Sequence, residues 1–266
     1  MSFSPIIPAP GLAGWAFLSR TRERQESSFV ATPTVARDTA HFRARFAQVE
    51  TADALVADRR LLRVALGAFG LQDDLDNRAF IRRVLEDGTT ERGALANRLS
   101  DKRYLAFATA FSHLARIPET APARDLPDRV ITQFQTREFE IAVGAQDDTL
   151  RLGLSLQREL PQLVSQYRNE TARWYGALAN PPLRQILETT LGLPREFGTL
   201  DLDDQVTRIR SAMQRRFGTD RIDALASPEL LGKVTTRFLV MSQLRQSQGM
   251  LSGAATALTL LQNMRR

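Results

Sequence analysis

Apolar side chains recur every three to four positions along most of this chain, the spacing that lines one face of an α-helix. Phe42, Phe46 and Val49 keep that period after Asp38, which is the expected helix cap. Thr51 is positioned to cap a second helix, running through Leu55, Leu61, Leu62, Ala65 and Leu66 to a stop at Gly70. A third is predicted from near Asp76 to Gly88. Ser100-Asp101 opens a fourth, which carries Tyr104, Phe107, Phe111 and Leu114 and stops before Pro118. Helices resume at 127–144 and 148–166, the latter bent by Pro161, and continue over 170–179, 183–191 and 202–217. Ser227-Pro228-Glu229 starts the last one with a hydroxyl cap, a proline in the first turn and an acid at the positive end of the dipole. That helix is predicted to run nearly to Arg266. No segment alternates as a half-buried strand does, so the expected class is all-α.

Prolines divide the pattern. Residues 1–35 hold Pro5, Pro8, Pro10 and Pro33, with Trp15, Phe17 and Leu18 isolated among small residues, and read as a flexible tail. Its aromatic cluster could dock on a partner or on the body of the protein. Pro118, Pro122 and Pro127 mark a linker over 118–127. It separates a first helical module, 36–117, from a second, 128–266, which ends in the long helix. The two echo each other: Ala54 to Leu71 aligns with Ala177 to Leu193, each ending in an apolar residue followed by Gly-Leu. Asp74-Leu-Asp-Asn77 then matches Asp201-Leu-Asp-Asp204, and Leu99 to Tyr104 falls where Leu225 to Leu230 does. Two related helical modules, an internal duplication, would account for these matches.

Composition narrows the function classes. The 266 residues include no cysteine, which removes disulfides, thiolate metal sites and cysteine nucleophiles. No apolar run approaches the roughly 20 residues of a membrane span, and residues 1–14 lack a cationic signal region, so a soluble chain without membrane insertion is expected. The compartment is expected to be the cytoplasm, or the exterior after export without a cleaved signal. The net charge is +6, and lysine appears only at Lys102 and Lys233. The arginines alternate with acids, as in Arg20-Thr-Arg-Glu-Arg24, a pattern typical of solvated helix faces laced with ion pairs. After Glu229 there is no acidic residue, while Lys233, Arg237, Arg245, Arg265 and Arg266 remain. A basic helical nucleic-acid-binding protein is therefore an alternative, though the phenylalanines occupy core-like positions rather than a stacking surface.

Candidate chemistry is sparse. His41 and His113 are the only histidines, each on a helix bearing aromatics, and are expected to be structural rather than metal ligands. Gly232-Lys233-Val234-Thr235 lacks the upstream glycine of a phosphate loop and lies within a predicted helix. The acidic clusters Asp73-Asp-Leu-Asp76 and Asp201-Leu-Asp-Asp204 lack the glycine and alternation of a calcium loop and read as helix starts. No catalytic residue, cofactor-binding residue, metal ligand or cofactor is assigned. An enzyme with an unrecognised site stays as a further alternative, to be judged by any deep pocket with convergent ionisable groups. The clearest interaction signal is a heptad stripe, Val240, Leu244, Ser247, Leu251, Ala254, Leu258 and Leu261. It packs inside the protein or against a second copy or partner chain.

Several stretches resemble an uncharacterised family, a domain of unknown function encoded in flagellar gene clusters of alphaproteobacteria. They are Gly14-Trp-Ala-Phe-Leu-Ser-Arg-Thr21 with Gln25, Asp58-Arg-Arg-Leu-Leu62, and Ala68-Phe-Gly-Leu71. Ala96-Asn-Arg-Leu-Ser-Asp-Lys-Arg-Tyr104, Phe139-Glu-Ile-Ala-Val-Gly144 and Arg151-Leu152 complete the set. The resemblance implies a non-enzymatic role in flagellar assembly or motility, with flagellar proteins as partners. It brings no active-site residues with it.

Overall fold

A computed structural model describes residues 3–118 and 120–263, with side chains described as far as residue 247 apart from Arg195. Among the described residues the fold is all-α, without strands. The chain forms two compact units by its contacts.

The first unit comprises residues 1–6 and 19–145. It holds the later part of α1 (Gly11–Val30), then α2 (Pro33–Arg45), α3 (Ala52–Ala57), α4 (Arg59–Phe69) and α5 (Arg78–Glu86). Next come α6 (Leu95–Arg98), α7 (Lys102–Ala110) and α8 (Leu126–Gly144), and α4 packs on both α2 and α8. Phenylalanines knit the core: Phe42 stacks on Phe46 at 5.2 Å, Phe46 meets Phe111, and Phe111 lies 5.0 Å from Phe107. Offset and edge-on ring pairs each add about 1 kcal/mol beyond area burial.

The second unit comprises residues 7–18 and 146–266. After the first turns of α1 it contains α9 (Asp148–Gln166), α10 (Glu170–Ala179), α11 (Pro181–Leu191), α12 (Leu202–Phe217), α13 (Ile222–Leu225) and α14 (Pro228–Asn263). α11 packs on α9 and α14. Trp174 is fully buried and donates its indole N–H to the Asp220 carbonyl at 2.9 Å. Arg237 and Arg245 of α14 reach the end of α11, donating to the Thr190 carbonyl and the Thr189 hydroxyl. Cations belong at that negative end of the dipole.

Several expectations are corrected. Residues 11–30 of the expected tail are a 20-residue helix. The helix escapes the sequence pattern because its apolar residues are few and unevenly spaced, and contacts with other parts of the chain supply what periodicity lacks. Gln25 accepts from the Ile6 amide at 2.8 Å and donates to the Ile6 carbonyl at 3.2 Å, so one side chain replaces the neighbour that an extended segment lacks. The division between units lies at 145/146, not in the proline-rich 118–127, which belongs to the first unit. Prolines there mark a surface crossing, whereas the true division is a short turn between α8 and α9 without distinctive composition. Asp38 does not cap a helix; it lies within α2, buried, and pairs with Arg63 of α4 at 3.0 Å. The helix expected from Thr51 to Gly70 is broken at Asp58, whose carboxylate caps α4. The fourth predicted helix stops at Ala110, short of Pro118. The helix expected over 148–166 is, by contrast, present as α9, with Pro161 inside it. Of the heptad stripe, Val240, Leu244 and Ser247 are described, and Leu244 is exposed; the side chains of Leu251, Ala254, Leu258 and Leu261 lie outside the described residues.

Candidate functional site

Most polar residues flagged in the sequence have a local partner or a packing role. His41, on α2, places Nε2 2.6 Å from Asp58 Oδ2, while Asp58 Oδ1 accepts the amides of Arg60 and Leu61 at 3.0 and 3.1 Å. Partial burial works to raise the Asp58 carboxyl. The hydrogen bond from His41, the two amides and the nearby histidine charge outweigh it and hold the group below the usual aspartate range. His113 packs edge-on to Phe46 at 5.8 Å and beside Phe111 at 6.2 Å, and burial pushes its pKa down. Among the described residues no three His, Asp or Glu side chains are grouped to hold a metal ion.

The acidic clusters serve other side chains. Asp74 accepts the Tyr104 hydroxyl at 2.5 Å and the Asn77 amide at 2.7 Å. Burial and the Asp74 carboxylate push the Tyr104 phenol up to about 12. Asp76 pairs with Arg59, and Asp203 accepts the Tyr175 hydroxyl. Gly232–Thr235 lies inside α14, where the buried Thr235 hydroxyl donates back to the Leu231 carbonyl at 2.7 Å. Those backbone amides are committed to the helix and offer a phosphate nothing.

A cavity of about 460 Å³ in the first unit has the shape of a site. It opens between the C-terminal end of α5, the turn that follows it and residues 115–118. Ala94 and Ala115, both buried, give it apolar ground, while Glu86, Asp87 and Glu91 contribute carboxylates. Arg83 pairs with Asp87 at 2.7 Å, and Arg116 with Glu86 at 3.1 Å. The Arg116 amide also donates to the Glu86 carbonyl at 3.0 Å. Ile117, at 83% exposure, stands on the rim. The lining offers charge and an aliphatic edge. Sequence inspection missed it because its two halves are some 30 residues apart and no motif joins them.

Residues 68–231, more than half of the chain, match the family described as a protein of unknown function, DUF1217. The chain belongs to the DUF1217 family. It is similar to a crystal structure of an Agrobacterium tumefaciens protein, a structural-genomics target, at 28% identity and a TM-score of 0.72. That likeness covers 91% of this chain and 99% of the other. No curated protein matches the chain.

In this DUF1217 protein several residues of the stretches that carried the resemblance hold the fold together. Gln25 secures Ile6, and Asp58 caps α4. Gly70 adopts φ 72°, the left-handed turn that ends α4. Asn97 donates to the carbonyls of Thr89 and Glu91 at 2.8 and 2.7 Å, closing the turn beside the cavity. Asp101 caps α7, and Arg103 donates to the Gly70 carbonyl. Asp58, Gly70, Asn97 and Asp101 thus fix ends and turns of helices.

Proposed function

We propose that this DUF1217 protein is a non-enzymatic accessory or structural component of the flagellum, acting in assembly or motility through helix-mediated protein–protein contacts. The flagellar part of the proposal rests on the sequence resemblance to a family encoded in flagellar gene clusters. The non-enzymatic part is supported by one observation: Gln25, Asp58, Asn97 and Asp101, polar residues of the stretches that carry the resemblance, cap helices, close turns or brace neighbouring segments.

Supporting features point the same way. α14 carries a leucine-bearing stripe whose Leu244 is exposed, a surface suited to a second copy or a partner helix. Many arginines are tied to carboxylates, including Arg43 to Asp128, Arg82 to Asp53 and Arg210 to Asp220, which lowers the charge available for a nucleic acid. Internal duplication is part of the proposal. α4 and α11 both end on left-handed glycines, Gly70 and Gly192, each followed by a leucine whose amide bonds back to the last turn. No described helix is long and apolar enough to cross a membrane. The protein acts in the cytoplasm, or outside after export without a cleaved signal. Affinity purification of the tagged full-length chain from motile cells tests the proposal. Recovery of flagellar components supports it; recovery of ribosomal or nucleoid proteins alone overturns it.

A further inference from the structure

The Ile117 rim is held in place. On one side the Arg116 amide donates to the Glu86 carbonyl at 3.0 Å, a backbone bond. On the other, the Thr120 and Ser112 hydroxyls meet at 2.8 Å. Between them Ile117 precedes Pro118, which favours extended backbone there. An isolated exposed isoleucine is ordinary. One fastened from both sides, beside a cavity of about 460 Å³, is a prepared contact.

The cavity's charge names the occupant. Glu86, Asp87 and Glu91 face it with two guanidiniums, so carboxylates exceed cations by one in a chain whose net charge is +6. The C-terminal carbonyl end of the nine-residue α5 adds negative potential. Glu86 and Asp87 are the more buried partners, at 24% and 15% exposure, whereas Arg116 and Arg83 stand 66% and 62% exposed. Arg82 also leans toward Glu86 at 3.7 Å but sits closer to Asp53 at 3.1 Å. Ion pairs with an exposed guanidinium hold weakly, so the arginine heads can swing aside while the carboxylates stay.

We propose that this cavity is a docking site for a partner protein segment carrying a basic side chain next to an aliphatic one. The basic group enters between Glu86 and Asp87, and the aliphatic residue packs on Ile117. The inference deepens the contact-based function proposed above and rests on it. The test is an NMR titration of the full-length, isotope-labelled protein with acetyl-Arg-Leu-amide at millimolar concentration, and with acetyl-Glu-Leu-amide as control. The arginine peptide is expected to shift the amides of residues 83–94 and 115–118, the glutamate peptide to leave them unmoved. A Glu86→Gln/Asp87→Asn double variant should weaken the response at least about tenfold, and Ile117→Ser should weaken it while leaving the spectrum otherwise folded. No response to the arginine peptide, or an equal response to both, overturns the assignment. Flagellar proteins recovered equally by the wild type and the double variant would overturn this cavity alone; their absence from both would overturn the broader function.

Discussion

Asp58 does two jobs through two oxygens: one caps α4, the other holds His41. The two contributions separate by substitution. Asparagine keeps the cap but neither titrates nor attracts a charged imidazole; alanine loses both, and a lost cap alone costs about 1 kcal/mol. Because the folded carboxyl lies below its ordinary value, its contribution is present above the unfolded pKa of about 4 and is lost as pH falls through the folded one. Urea melts from pH 7 to pH 3 should therefore show wild type more stable than Asp58→Asn near neutrality, with the gap closing in acid. A gap independent of pH would mean the carboxylate charge contributes nothing. Gly70 is a residue-scale feature of another kind. Its φ of 72° suits a residue without a Cβ, and the sequence marked it correctly as a helix stop.

Among the elements, α1 departs most from expectation. Its first turns belong to the second unit, where Trp15 lies over Gly153 in α9. Trp15 of the N-terminal segment thus packs on α9. A methyl at Gly153 would stand 2.9 Å from Trp15 Cζ3, a distance that forces the ring to move. Alanine is otherwise preferred to glycine within a helix by about 1 kcal/mol, so two effects oppose each other in Gly153→Ala. Displacement of the ring is expected to cancel the helical gain. Trp174 is fully buried, so acrylamide quenching of tryptophan fluorescence reports on Trp15 and should rise in the variant. Unchanged quenching together with a stability gain of about 1 kcal/mol would show that the indole is not seated on that glycine.

For the whole molecule, the division into units assigns residues that are remote in sequence to a common core. Leu18 is fully buried and belongs with residues 146–266 rather than with the helices that follow it in the chain. Leu18→Ala should cost about 2–4 kcal/mol through lost burial and the cavity left behind. Hydrogen exchange locates that cost. Amides in α9, α11 and α14 should lose protection, while those in α4 and α8 retain it. Equal loss in all five helices would mean that the chain opens as one cooperative body instead of two units.

Helix type and most helix ends were legible in the sequence because they depend on neighbours within one or two turns. Phe42 and Phe46 recur on one face, Pro228 and Glu229 suit a first turn, and Gly70, Gly192 and Gly218 supply left-handed stops. Tertiary structure alone decided where the polar residues go. Asp38 became a buried partner of Arg63, Gln25 became the hydrogen-bonding neighbour of Ile6, and residues 83–94 met 115–118 around a cavity. Each depends on groups brought together across 19 or more residues, and no local spacing records such a meeting. Periodicity encodes which face of a helix is apolar; which element covers that face is settled only when the chain packs.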